Sequence, residues 1–186
     1  MRETNWGLCW TIAFILSSQL FGFSQTAPNP KAVDRLTLER AVSGAETALK
    51  AYQRTLGKYA DLPELTATAK SDAGPILVGG LGATMIRTKL SSEPPSLDPF
   101  EITALFANID ACALNAALTA SSLTNASFLE GSEAASKRRL QRNLEAANAL
   151  IGNVQQLKQS SDQLWDILEG YLVGLKPWPV ITTPPK

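Results

Sequence analysis

The chain has 186 residues, with 17 basic and 17 acidic side chains, no histidine and two cysteines. Zero net charge gives no global field to draw in nucleic acid or an anionic membrane. Without histidine, the usual base for serine or cysteine nucleophiles and the commonest transition-metal ligand are both missing, while the length suits one domain with a substantial core.

From Thr4 to Pro30 the chain is uncharged, with an apolar centre from Leu8 to Phe23, and it reads as a secretory signal peptide. A membrane-spanning helix needs about 20 apolar residues. This run has sixteen and is broken by Ser17, Ser18 and Gln19. Gly22 and Ser24 supply the small residues for a cut after Ser24, so residues 1–24 form the signal and residues 25–30 an extended lead-in. The competing reading is an uncleaved anchor, the only membrane contact the sequence offers. Lipoprotein processing at Cys9 fails because that cysteine precedes the apolar core. Export to the periplasm or the medium is therefore expected. Cys9 leaves with the signal, Cys112 stands alone, and the remaining 162 residues must hold together by packing, without an internal disulfide. Asn125, Ala126 and Ser127 match a glycosylation tripeptide, which we read as chance.

A helix is expected over about residues 31–60, because Leu38, Val42, Ala45, Leu49, Tyr52, Leu56 and Tyr59 recur at spacings of three and four. Glu46 stands four residues before Lys50, the favourable orientation for a helical ion pair. Pro63 disfavours helical geometry at Leu62 and ends the element. Residues 64–90 divide at Gly74 and Pro75. The left half reads as helical, and Pro75–Leu90 as a poor helix with Pro75 in its first turn, weakened by Gly79, Gly80 and Gly82. A buried strand or irregular loop is the alternative. Ser91 to Leu97, with Pro94 and Pro95, reads as a loop.

Asp98, Pro99 and Glu101 announce the next helix with a capping aspartate, proline at the first position and a glutamate three residues after the cap. Its buried stripe is Ile102, Leu105, Ile109, Cys112, Ala116 and Leu123, widened by Phe106, Ala113 and Ala120. It should stop between Ser121 and Asn125, where Ser, Thr and Asn compete with helical hydrogen bonding. A last helix begins at Ser132, with a seam through Leu140, Leu144, Ala147, Ile151, Val154, Leu157 or Lys158, Ser161, Leu164, Leu168 and Tyr171. A kink near Gly152 or a projecting end would accommodate its length. The bundle domain covers residues 31–175, and residues 176–186 form a proline-containing tail, in which Trp178 either docks on the bundle or serves in recognition. The expected fold is all-α, an up-and-down bundle of three or four antiparallel helices joined near residues 61–64, 91–97 and 124–131.

Residues 31–60 carry six basic and three acidic side chains, and residues 98–131 carry four acidic and no basic ones, so these two segments are expected to attract. Little else points to chemistry. A di-iron bundle needs histidine, the acidic residues lack calcium-loop spacing, and Gly79, Gly80 and Gly82 match neither phosphate-binding pattern. No metal or cofactor is expected. Cys112, on the apolar stripe, reads as a buried structural thiol. The cluster Lys137, Arg138, Arg139 and Arg142 is a candidate contact for an anion or a partner. It lacks interleaved aromatics, which argues against nucleic acid, and pairing with the acidic third helix would explain it without a ligand. Ile76 to Ile86 is a candidate apolar contact segment.

The leading functional expectation is an exported, non-catalytic helical-bundle module that binds another protein or itself through exposed parts of its seams. The alternative is a small-ligand or envelope-associated binding protein with an inter-helical apolar pocket lined by Phe100, Phe106, Trp165 and Tyr171. An enzyme comes third, for want of recognisable catalytic roles.

Overall fold

The computed structural model describes residues 33–92, 97–128, 134–172 and 181–182. The expected signal and lead-in segments, Pro94 and Pro95, the expected helix start at Ser132 and Trp178 lie outside the described residues. Four helices follow a short strand: β1 Val33–Asp34, α1 Arg35–Lys58, α2 Pro63–Leu90, α3 Pro99–Phe128 and α4 Ala134–Leu172, with β2 Ile181–Thr182 pairing in parallel with β1. The extended β1 takes the place of the first helical turn expected from residue 31.

Cross-helix pairs give the directions. Tyr52 meets Asp72 while Glu46 meets Arg87, so α1 and α2 run antiparallel. Thr68 meets Thr119 while Lys89 meets Glu101, and Asp110 meets Lys158 while Phe106 meets Trp165. Arg142, early in α4, returns to the end of α1. The fold is an all-α, up-and-down four-helix bundle, with α1 closed against α4 and α1 diagonal to α3. The expected attraction between the basic first helix and the acidic third therefore does not occur. Glu101 of α3 pairs with Lys89 of α2, and Asp110 with Lys158 of α4, the helices that are its neighbours.

All seven expected seam residues are buried, six in α1 from Leu38 to Leu56 and Tyr59 just past its end, because the repeat puts them on one face of a helix covered from both sides. Leu62 is extended, as a residue before proline should be, and Pro63 opens α2. At the start of α3 the Phe100 amide donates to Asp98 Oδ1 at 2.9 Å, and the Asp98 amide donates to Glu101 Oε2 at 3.2 Å, which completes the reciprocal cap. The α3 stripe from Ile102 to Leu123 is buried as its spacing requires. Pro99–Ala126 is long and apolar enough to cross a membrane, with mean hydropathy 1.4. Much of that value comes from alanine and leucine on its outer face as well as from the stripe.

Three further expectations about the helices need correction. Residues 63–90 form one helix that runs through Pro75, where two halves were expected. An interior proline costs about 3 kcal/mol. Burial of Leu65 before it and of Ala83, Ile86 and Leu90 after it offsets that cost by holding both halves against the same neighbours. Second, α3 continues to Phe128 instead of stopping at 121–125. Thr124 Oγ1 donates back to the Ala120 carbonyl at 2.9 Å, so the hydroxyl binds the helix it was expected to disrupt, while Leu123 stays buried.

Third, the first half of the α4 seam lies one residue earlier than expected. Asn143, Ala146, Leu150 and Asn153 are buried and Leu144 and Ile151 are exposed, while Ala147 and Leu157 are buried as expected. The expected seam followed a period of 3.5 residues, but a straight helix repeats after five turns of 3.6. Leu168, Leu164 and Ser161 therefore project onto Leu150, Ala146 and Asn143. This phase buries two asparagines, whose Oδ1 atoms have no hydrogen-bond partner among the described residues.

The glycines of α2 differ in what they do. A Cβ at Gly79 would lie 2.8 Å from Leu49 Cδ1 and 3.4 Å from Asn108 Cβ, so α1, α2 and α3 approach closely because no side chain intervenes. A Cβ at Gly82 would meet nothing within 4 Å. Gly82→Ala is expected to stabilise the fold by about 1 kcal/mol through helix propensity, and Gly79→Ala to forfeit that gain to the crowding of Leu49. Thermal denaturation of the two variants side by side checks this.

Candidate functional site

The groove of interest lies between α1 and α2 and has a volume of about 630 Å³. Leu49, Leu56 and Gly57 of α1 line one wall, and Ala69, Ala73, Ile76 and Gly80 of α2 the other. Small side chains keep it open. It runs along α1 from Glu46 to Gly57, about 17 Å at 1.5 Å per residue, and reaches Ala60 just past the end of the helix. Glu46 accepts from Lys50 Nζ at 2.6 Å and from Arg87 Nη1 at 2.7 Å, and these bonds hold its carboxyl below the usual carboxylate range despite partial burial. One end of the groove is thus polar and already neutralised.

Its outer rim on α2 is a ridge made by Leu77 and Leu81, one turn apart and 62% and 57% exposed. Val78 and Met85 continue the exposed apolar surface along the same helix. From Ser71 to Ile86 the only charge is Asp72, which is buried, and from Ile102 to Phe128 the only charge is Asp110, which turns toward Lys158 of α4. The middle of the α2 and α3 surface is therefore uncharged, and Leu114 and Leu118 are exposed on α3. The sequence reading picked out Ile76 to Ile86 as a contact segment but not the groove, because a groove needs the facing helix.

Asp72 is a residue the sequence reading passed over. It is fully buried, and its carboxylate accepts from Tyr52 Oη at 2.6 Å and from Asn115 Nδ2 at 2.6 Å, joining three helices. Thr68 and Thr119 hydroxyls meet one turn away at 2.7 Å. Burial, helped by the bond to Asp72, drives the Tyr52 hydroxyl well above its usual pKa. Burial and the Asp72 carboxylate also push the Cys112 thiol up to about 12, which keeps it protonated and unreactive at neutral pH. Tyr52→Phe leaves the buried carboxylate short of one donor, and a loss of about 1–3 kcal/mol is expected. Urea denaturation should show a lower midpoint with unchanged slope.

The basic cluster is split by the structure. Lys137, Arg138 and Arg139 are exposed at the start of α4. Arg142 instead binds the corner between α1 and α2: it donates from Nη2 to Asp61 Oδ1 at 2.9 Å and to the Lys58 carbonyl at 3.0 Å, and its guanidinium lies 4.5 Å from the Tyr59 ring centre. For Arg142 the expected pairing with the acidic third helix is corrected, since its acid is Asp61 at that corner. Among the aromatics read as a pocket lining, Phe106 and Trp165 meet with ring centres 5.5 Å apart, and Phe100 is 77% exposed in the first turn of α3. The Tyr171 side chain lies outside the described residues. Among the described residues no group of three or more acidic or cysteine side chains is placed to hold a metal ion.

The hydrogen bonds from Arg142 hold the Asp61 carboxyl below the usual carboxylate range. Because the folded value is below the unfolded one, this pair stabilises the fold at neutral pH, and its contribution is lost as pH falls through the folded value. In Arg142→Ala the Asp61 carboxyl is expected to titrate in the ordinary range, which side-chain NMR across an acid titration reads directly. Compared with protein-family models, with curated proteins and with solved structures, the chain matches none.

Proposed function

We propose that this chain is an exported, non-catalytic helical-bundle module that binds another protein chain through the α1/α2 groove and the uncharged surface beside it. The observation that carries the reading is the pairing of an apolar groove with an exposed Leu77–Leu81 ridge on a stretch of helix without surface charge. A continuous exposed apolar patch of several hundred Å² marks an interaction surface, and a groove between two helices suits a row of helical side chains from a partner. Export rests on the apolar N-terminal segment. The absence of catalysis rests on the lack of histidine and on the buried, protonated Cys112. The second reading, an apolar small ligand in the same groove, is favoured by a volume within the ordinary range for ligand sites. Exposure of both ridge leucines at its rim favours the larger partner.

A photo-crosslinking amino acid at Leu77 is expected to give discrete protein adducts in the native envelope or medium, and Leu81→Glu to abolish them with helical dichroism unchanged. Adducts that persist in Leu81→Glu, or none at all, count against the reading.

A further inference from the structure

We propose that the partner's docking segment is an amphipathic helix with acidic residues along the flanks of its apolar face. The inference rests on the protein-binding reading above and names the chemistry of the partner. The groove floor, including Leu49 and Leu56 of α1 and Ile76 and Gly80 of α2, is apolar. Its frame is basic. Lys50 stands on the α1 rim, with Arg54 one turn further along the same helix. On α2, Lys70 lies two turns before Leu77 on the ridge that continues through Leu81, because residues seven apart return to one helix face. Arg87 stands at the opposite end, beside Glu46. All four basic residues are exposed.

Few acids answer these cations. Glu46 is the one acid in the lining; its side chain is 13% exposed and already bonds both Lys50 and Arg87. Asp72 is buried inside the bundle, and Asp61, just past Ala60, is bound by Arg142. Arg54 Nε donates to the Lys50 carbonyl at 3.2 Å, and among the described residues neither Arg54 nor Lys70 has an acidic partner. The frame therefore carries positive charge in excess, in a chain whose net charge is zero. The spread of that charge decides between occupants. Lys50 and Arg54 lie about 6 Å apart along α1, and Lys70 and Arg87 roughly 25 Å apart along α2, at 1.5 Å per residue. An acyl chain with one terminal carboxylate answers one of these positions. A helix of four or five turns answers all of them, since acidic residues recur on both sides of its apolar stripe. Complementary charge of this kind selects the partner and speeds the encounter, while the leucine ridge and the groove supply apolar contact.

Isothermal titration calorimetry of the full chain with two synthetic helical peptides of about 18 residues, long enough to follow the groove, tests the proposal. Both carry leucine at the same spacings of three and four; one has glutamate at the flanking positions and the other lysine. The glutamate peptide is expected to bind at least tenfold more tightly at low salt, with a gap that narrows as salt screens the charges. Arg54→Glu combined with Lys70→Glu is expected to reverse the preference with helical dichroism retained, while Lys137→Glu combined with Arg138→Glu, away from the groove, leaves it unchanged. Equal binding of the two peptides, or a preference that survives the reversal at Arg54 and Lys70, overturns the proposal. Saturable binding of submicellar dodecanoate with neither peptide bound assigns the groove to a single-chain lipid and overturns the protein partner as well. If neither peptide nor dodecanoate binds but crosslinks from Leu77 are lost in Leu81→Glu, the binding reading stands and only the acidic helix falls. If those crosslinks are absent too, both fall.

Discussion

The close approach of α1, α2 and α3 around Gly79 and Asp72 is the constraint on which the bundle depends. Alone, α2 is a poor helix: it contains Pro75 and four glycines and has no clear apolar stripe. Its neighbours supply what it lacks. Leu49 and Asn108 close over Gly79, and Tyr52 and Asn115 clasp the Asp72 carboxylate from opposite sides. A buried carboxylate stripped of water is costly unless its oxygens are hydrogen-bonded, so this clasp also opposes sliding of α2 along either neighbour.

That arrangement distributes polarity unevenly. α1 and α4 carry most of the charge and spend it on local pairs and on the corner where Arg142 covers Tyr59 and binds Asp61. α2 and α3 present alanine, glycine and leucine to the outside. The same small residues that permit close packing around Gly79 leave the α1/α2 groove open a turn further round the helix. Weak helix-forming character in α2 and the open groove beside it thus have one origin in its composition.

The site and the fold are also separable. Asp72, Gly79 and the buried stripes hold the bundle, while Leu77, Gly80 and Leu81 contribute little to its interior. A surface whose alteration leaves that core intact can change without cost to the fold.

What the sequence alone determined is what local physics governs. The cap of α3 is written in Asp98, Pro99 and Glu101, because the groups that bond lie within three residues. The stripes of α1 and α3 are written in spacing, because residues three and four apart share a helix face. Only the tertiary structure decided the continuity of α2, the phase of α4, the role of Asp72 and the existence of the groove. Each rests on atoms far apart in the chain. Pro75 breaks a helix unless neighbours hold both halves, and Leu144 and Asn143 are equally plausible inward residues until a straight rod meets the three helices around it. Likewise, a buried aspartate declares itself only when its donors arrive from two other helices, and a recess exists only between surfaces that one helix cannot supply.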